Sequence, residues 1–340
     1  MVDRSRHSGI DHARFVAAIF VIAIHTSPFS SVPHIGNTLA LFTRTTGRLA
    51  VPFFLMTTGY YLFPGQSVNI LIFKKFLIKL FCLYGFISVV YLPILICTGY
   101  FQADGIFLTV LKDAVFNGTF YHLWYLPAVI LGVILVAFFI KYLPSKISAM
   151  LCVVLYVIGL LGDAYYGFTE TIPAIAYFYR QLFYISDFTR NGIFFAPLFL
   201  LLGSQISRYT TPLTPCRKFG FSFFYFLLIA EAIVTSTLQL QRHDCMYLFL
   251  VPAAYYLFQL VLDIKAKYSR HIKNIATNMY LFHPLIMIVI RSLSKRLAID
   301  KFIISNSFLY FTITLLTSIG IGYIVSSLDN IINERIRQHK

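Results

Sequence analysis

Ten stretches of this 340-residue chain stay apolar for close to the length of a membrane crossing: 12–31, 46–64, 77–98, 123–140, 147–166, 191–207, 219–239, 245–264, 274–291 and 306–328. About 20 apolar residues in α-helix span the ~30 Å hydrocarbon core of a bilayer. Backbone polar groups in lipid must be satisfied within the segment, which favours helices. A membrane barrel would need ~10-residue strands of alternating polarity, and these runs are continuous. Only 12% of residues are charged, about half the usual share of a soluble domain. The expected fold is therefore an all-α, polytopic integral membrane helix bundle of about ten transmembrane helices. It is expected to form one transmembrane domain over 1–340, with the bilayer as its main surroundings.

The formal net charge of +15 would suggest nucleic acid on a soluble protein. Here the basic residues fall mostly between apolar runs, so they read as loops beside anionic lipid, and no nucleic-acid partner is expected. With the N-terminus in the cytoplasm, 17 of the 28 Lys and Arg residues fall on that side, including Arg4, Arg6, Arg208, Lys267, Arg270, Arg335, Arg337 and Lys340. Ten fall opposite, and Arg14 lies inside the first span. The bias predicts that both termini are cytoplasmic. No small-residue cleavage site follows the first run, so it reads as a retained span. Cys82, Cys97, Cys152, Cys216 and Cys245 show neither CxxC nor metal spacing and read as lone buried thiols. Two long outer loops, 99–122 and 167–190, are rich in aromatics, and Ile106–Phe116 is amphipathic. They are expected to lie along the interface or fold back as a lid.

Ionisable residues inside spans are costly, and each is a candidate for function. Arg14 and His25 are eleven residues apart. In a helix this leaves only ~20° after three turns, so both share one face, and the ~16 Å rise puts His25 near mid-membrane. Asp11, one turn before Arg14, either orients it or caps the helix. Arg44 and Arg48 precede Val51-Pro52-Phe53-Phe54-Leu55-Met56-Thr57-Thr58-Gly59-Tyr60, where Thr57, Thr58 and Gly59 permit close packing. Arg48 either binds an anionic group or snorkels outward. His122, Trp124 and Tyr125 open the fourth span, as cleft residues or as an aromatic belt. Asp163, Asp187, Arg190 and Asn191, with Gln241-Arg242-His243-Asp244, form a polar ring suited to substrate recognition or to stapling helix ends. Glu231 lies in the seventh span and needs a partner or a water-filled cavity. Tyr280 and His283 precede Pro284, which leaves one helical carbonyl unpartnered. A mid-membrane His is suited to act as general base toward a hydroxyl. No GxSxG, P-loop or HExxH is present, so neither a serine nucleophile nor a metal is expected.

Arg14 and His25, the Arg48/Val51-Pro52-Phe53-Phe54…Gly59 run, His122-Leu123-Trp124-Tyr125-Leu126 and Tyr280-Leu281-Phe282-His283-Pro284 together resemble the acyltransferase-3 family of membrane acyltransferases. The resemblance implies transfer of an acyl group, usually acetyl, from cytoplasmic acyl-CoA to a hydroxyl of an extracytoplasmic acceptor such as a cell-envelope carbohydrate. It implies a multi-pass protein of the bacterial cytoplasmic membrane, with acetyl-CoA as co-substrate and no tightly bound cofactor. His25 would be the catalytic base or the acyl-handling residue, and Arg14 would help hold the donor. Asp11, Arg48, His122, Trp124, Tyr125, Asp163, Arg190, Asn191, Tyr280 and His283 would bind donor or acceptor. His25-Thr26-Ser27-Pro28, the 118–127 and 162–167 stretches, Thr189-Arg190-Asn191-Gly192 and Leu240-Gln241-Arg242-His243-Asp244 are similar to the membrane domain of VanT-type membrane serine racemases of vancomycin-resistant bacteria. There a cytoplasmic racemase domain with pyridoxal phosphate follows. Racemisation and that cofactor are not expected of these 340 residues, but a cytoplasmic racemase domain or protein is an expected partner. In that branch the membrane domain would admit L-serine.

Overall fold

The structure is a computed structural model that describes residues 7–102, 105–207, 215–265 and 270–338. Arg4, Arg6, Arg208, Lys267 and Lys340 lie outside the described residues, as do the side chains of Arg270, Arg335 and Arg337. Among the described residues every regular element is helical. In chain order they are α1 (Ser8–Thr26), α2 (Gly36–Gly47), α3 (Ala50–Leu62), α4 (Ile70–Cys97), α5 (Ile106–Lys112), α6 (Tyr125–Tyr142), α7 (Ser145–Leu161), α8 (Tyr166–Glu170), α9 (Pro173–Ile185), α10 (Ala196–Ile206), α11 (Pro215–Thr237), α12 (Leu250–Leu262), α13 (Arg270–Arg296), α14 (Asp300–Ile303) and α15 (Ser307–Gln338).

Six of these are long and apolar enough to cross a membrane: α1, α4, α6, α11, α13 and α15. Each expected span contains a helix, but four are shorter than expected, for local reasons. In 46–64 the helix is α3, whose start at Ala50 puts Pro52 in its first turn, where a missing N–H costs nothing. In 147–166, α7 stops at Leu161, before Gly162 and Asp163. In 191–207, Asn191 turns the chain by accepting from the N–H groups of Ile193 and Phe194 (2.9 and 3.1 Å), and α10 begins only at Ala196. In 245–264, carboxylates from elsewhere hold the backbone N–H groups of Cys245, Met246, Leu248 and Phe249, which delays α12 to Leu250. The two long loops are partly helical. Ile106–Phe116 becomes α5 and a π turn, and 167–190 holds most of α8 and all of α9.

The chain divides into two units, one of residues 1–50 and 257–340 and one of 51–256. In the first, α1 and α13 run parallel. Gly9 lies on the backbone of Val261 and Ile264, just ahead of α13, and the far end of α1 meets the middle of α13 at His25 and His283. Ala18, Ile22, Ala276 and Met279 form their buried seam, flanked by Phe311, Leu315 and Ile319 of α15. α15 runs antiparallel to α13. Ile275 lies against Gly322, and the Tyr310 hydroxyl lies 3.5 Å from the Met287 carbonyl.

In the second unit, α3 and α10 cross backbone to backbone. A methyl on Gly59 would run into the Leu200 carbonyl, and one on Gly203 into the Met56 carbonyl. This is the close packing expected around Thr57–Gly59. α4 buries only Leu80, Tyr84, Ile87 and Tyr91, one stripe of its surface. Its other faces are exposed and apolar, with Leu71, Phe86 and Val89 more than 60% exposed. Water would penalise such a surface heavily and lipid does not. The expectation of five buried thiols is corrected. Cys152 and Cys245 are buried, but Cys82 and Cys97 on α4 and Cys216 on α11 are exposed, because they lie on these outward faces.

Candidate functional site

The candidate centre lies along the α1–α13 seam. Arg14, Ala18, Ile22 and His25 follow one face of α1, and Ala276, Met279 and His283 follow one face of α13. The apolar part of the seam ends at a pair of imidazoles, His25 and His283, whose ring centroids are 5.2 Å apart with planes inclined at 32°. His25 is half-buried and His283 fully buried. His25 sits in the last turn of α1, because the helix ends at Thr26, five residues earlier than expected. Ser27 takes a left-handed conformation (φ 47°), its N–H bonds to the Ala23 carbonyl, and Pro28 cannot continue the helix. His25 nevertheless reaches the level of the middle of α13, since His283 is near the midpoint of that helix. Beyond it the turn is tied to α15. Ser307 Oγ donates to the Pro28 carbonyl (3.0 Å) and lies 2.8 Å from Ser31 Oγ.

Pro284 determines how His283 is held. Proline has no N–H, so the Tyr280 carbonyl loses its helical donor. The His283 ring fills that place, with Nδ1 2.9 Å from the Tyr280 carbonyl and 3.1 Å from that of Met279. Both neighbours only accept, so Nδ1 carries the proton and, in the neutral ring, Nε2 carries the lone pair. Tyr280 stands beside it, 6.4 Å between ring centroids.

At the other end of the seam, Asp11 is buried and Arg14 donates to it at 3.3 Å. Asp11 is the fourth residue of α1, in its first turn behind the N-cap His7, and its carboxylate takes the Arg14 guanidinium. Arg44 and Arg48 belong to a helix the sequence reading did not place. They close α2 rather than open the next span, with Arg48 as its C-cap. Gly47 rests on Ile24, so the Arg48 backbone lies beside the last turn of α1.

The remaining candidates lie in the second unit. His122 is buried among Tyr91, Phe120 and Tyr121, with ring centroids 5.1–5.8 Å away. The Phe120-Tyr121-His122 run was the available signal for this aromatic box. Tyr125 meets Phe54 edge-on at 6.0 Å. Trp124 forms one side of a cation–π sandwich. The Arg190 guanidinium lies 5.1 Å from its ring centre and 4.2 Å from that of Phe188, and Nη1 donates to Cys245 Sγ at 2.8 Å. Asp163 is fully buried and accepts from the N–H groups of Cys245 and Met246 (2.7 and 2.9 Å). Asn191 is buried in its own turn and donates to Ser186 and Phe188. Glu231 accepts from Tyr165 and from the N–H groups of Leu248 and Phe249. Asp187 joins the two long loops through Lys112 and Asn117. The polar ring thus has the bonding of a staple between helix ends. His243 lies in the 238–249 segment, outside the spans, with its ring 4.5 Å from Phe188. Burial and the nearby Arg190 and Arg242 push its pKa down from 6.5 to about 4, against an opposing pull from Asp244. Among the described residues no three His, Cys, Asp or Glu side chains gather as metal ligands would.

The family model of an acyltransferase domain, acyltransferase-3, matches residues 7–327. Two Enterococcus faecalis proteins named amino-acid racemase are 32% and 35% identical to the chain, over 100% and 96% of it but only 48% and 47% of their own lengths. An Enterococcus gallinarum protein named serine/alanine racemase is 32% identical over 93% of the chain and 45% of its own length. The chain spans about half the length of the curated relatives it matches. No solved structure matches it. The family match covers α1 through most of α15, including Arg14, His25 and His283, and the chain belongs to the acyltransferase-3 family of membrane acyltransferase domains.

Proposed function

We propose that the chain is a membrane O-acyltransferase, one transmembrane domain that moves an acyl group, acetyl in the simplest case, from cytoplasmic acyl-CoA to a hydroxyl of an extracytoplasmic acceptor. The observation that carries this is the Arg14–His25 face of α1 closing on His283, a cation at one end of a seam and a paired imidazole ~16 Å along it. An acyl transfer across a membrane requires that separation of tasks. Arg14, oriented by Asp11, suits the anionic donor at the cytoplasmic edge. His25 suits removal of the acceptor proton. Arg48, whose backbone lies beside the last turn of α1, is the candidate for holding an anionic group. Tyr280 is a candidate for the acceptor beside the pair, Trp124, Tyr125, His122 and Arg190 are candidates within the second unit, and Asp163 and Asn191 hold that unit's own backbone turns. The reading includes ten passes, cytoplasmic termini and the bacterial cytoplasmic membrane. The parallel course of α1 and α13 supports that topology, since the first and ninth of ten passes run the same way.

The test is transfer of label from acetyl-CoA to a sugar or peptidoglycan-type acceptor by purified protein. His25→Ala is expected to abolish transfer, and Arg14→Ala to raise the KM for acetyl-CoA. A second reading draws on the relatives named racemase: the domain admits L-serine to a cytoplasmic racemase domain or protein. Serine uptake into proteoliposomes without acyl transfer would establish that reading and overturn the first.

A further inference from the structure

We infer that His283 is the positioning partner of His25, its Nε2 receiving an N–H from His25 so that the other His25 nitrogen faces the acceptor hydroxyl as base. The inference rests on the acyl-transfer reading and adds to it a second histidine with a defined role. Three observations converge. Pro284 removes the donor to the Tyr280 carbonyl, and the His283 Nδ1–H takes that carbonyl at 2.9 Å. The ring is therefore held in one tautomer, with its lone pair on Nε2. The His25 ring is the neighbouring imidazole, 5.2 Å away between centroids, and a modest turn of the His25 ring at that separation brings facing nitrogens into hydrogen-bonding range, ~2.7–3.2 Å. His283 is fully buried while His25 is half-buried, so one ring is fixed and the other meets substrate.

A base works best when a third group orients it and stabilises the cation it becomes. In the step itself the acceptor O–H bond breaks and its proton passes to His25. The oxygen forms a bond to the acyl carbon, the C–S bond of the thioester breaks, and the CoA thiolate takes up the proton from His25. His283 loses and gains no proton. It accepts the hydrogen bond throughout and spreads the charge of the transient imidazolium.

Asn and Gln separate the two ring nitrogens of His283. His283→Asn keeps a donor near the Nδ1 position for the Tyr280 carbonyl and has nothing at the Nε2 position, whereas His283→Gln keeps an acceptor there. The expected result is that His283→Asn lowers kcat about 100-fold with little change in the KM for acetyl-CoA, a loss in the range of general-base effects. His283→Gln is expected to stay within about tenfold of the wild type. An Asn variant as active as the wild type would overturn the inference, as would a Gln variant no better than Asn. Histidine-selective 15N NMR of the wild type gives a readout independent of activity. The Nδ1–H tautomer is expected for His283, and an Nε2–H tautomer would also overturn the proposal. If the wild type transfers no acyl group, the acyl-transfer reading fails, and the NMR result still decides whether the pair is built as described.

Discussion

Single side chains in this molecule are sorted by what their neighbours leave them able to do. Asp163 and Glu231 accept backbone N–H bonds from 245–249 and are committed to holding that segment. Asp163→Ala is therefore expected to lower thermal stability by about 2–4 kcal/mol, since it removes acceptors from two buried N–H groups, and to lower activity only in proportion to folded protein. Parallel thermal-melt and transfer assays would check this. His243 gives a pH prediction. Folded, it stays neutral down to about pH 4, because burial and two guanidinium groups disfavour its charge. Unfolded, it takes a proton near its ordinary 6.5. The unfolded state therefore binds more protons between those values, and stability is expected to fall as pH drops from about 6.5 toward 4, with no effect above. His243→Phe should flatten that part of the melting-temperature profile.

Among elements, the α3–α10 crossing is the tightest contact with a simple test. Gly59 and Gly203 each face carbonyl backbone across the crossing, and Gly85 on α4 faces open space. Gly59→Ala and Gly203→Ala are each expected to cost about 1–3 kcal/mol, the usual range for overpacking, and Gly85→Ala to cost nothing measurable by the same melts. The elements also show what could be read from the sequence. The Arg14–His25 face was legible because helical period alone places it. The crossing at Gly59 was legible from small residues in a short run. α2 was not, because Gly36–Gly47 has the composition of a polar turn. Its Thr43, Thr45 and Thr46 hydroxyls donate to the Leu39, Leu41 and Phe42 carbonyls within the helix, so they leave little exposed polarity. The meeting of His25 and His283 was not legible either, since periodicity places a residue on its own helix and says nothing about which helix arrives opposite. The early end of α1 was written in Ser27-Pro28, but the hydrophobicity of the run outweighed it.

At the scale of the whole molecule, six full-length helices and a large apolar exterior make this a polytopic helical membrane protein. The proposed topology predicts that a protease site at either terminus is cut only from the cytoplasmic face, and that Cys97, exposed at the end of α4, reacts with impermeant reagent from outside. The unit holding the histidine pair is drawn from both ends of the chain, residues 1–50 and 257–340. A ribosome releases His25 about 260 residues before His283, roughly 10 to 50 s at ordinary rates of synthesis. Through that interval α1 is in place with a half-built centre, and the intervening helices are inserted first. The order of synthesis thus keeps His25 without His283 until α13 is made, so the meeting of the two rings reports that the helices between them have been threaded.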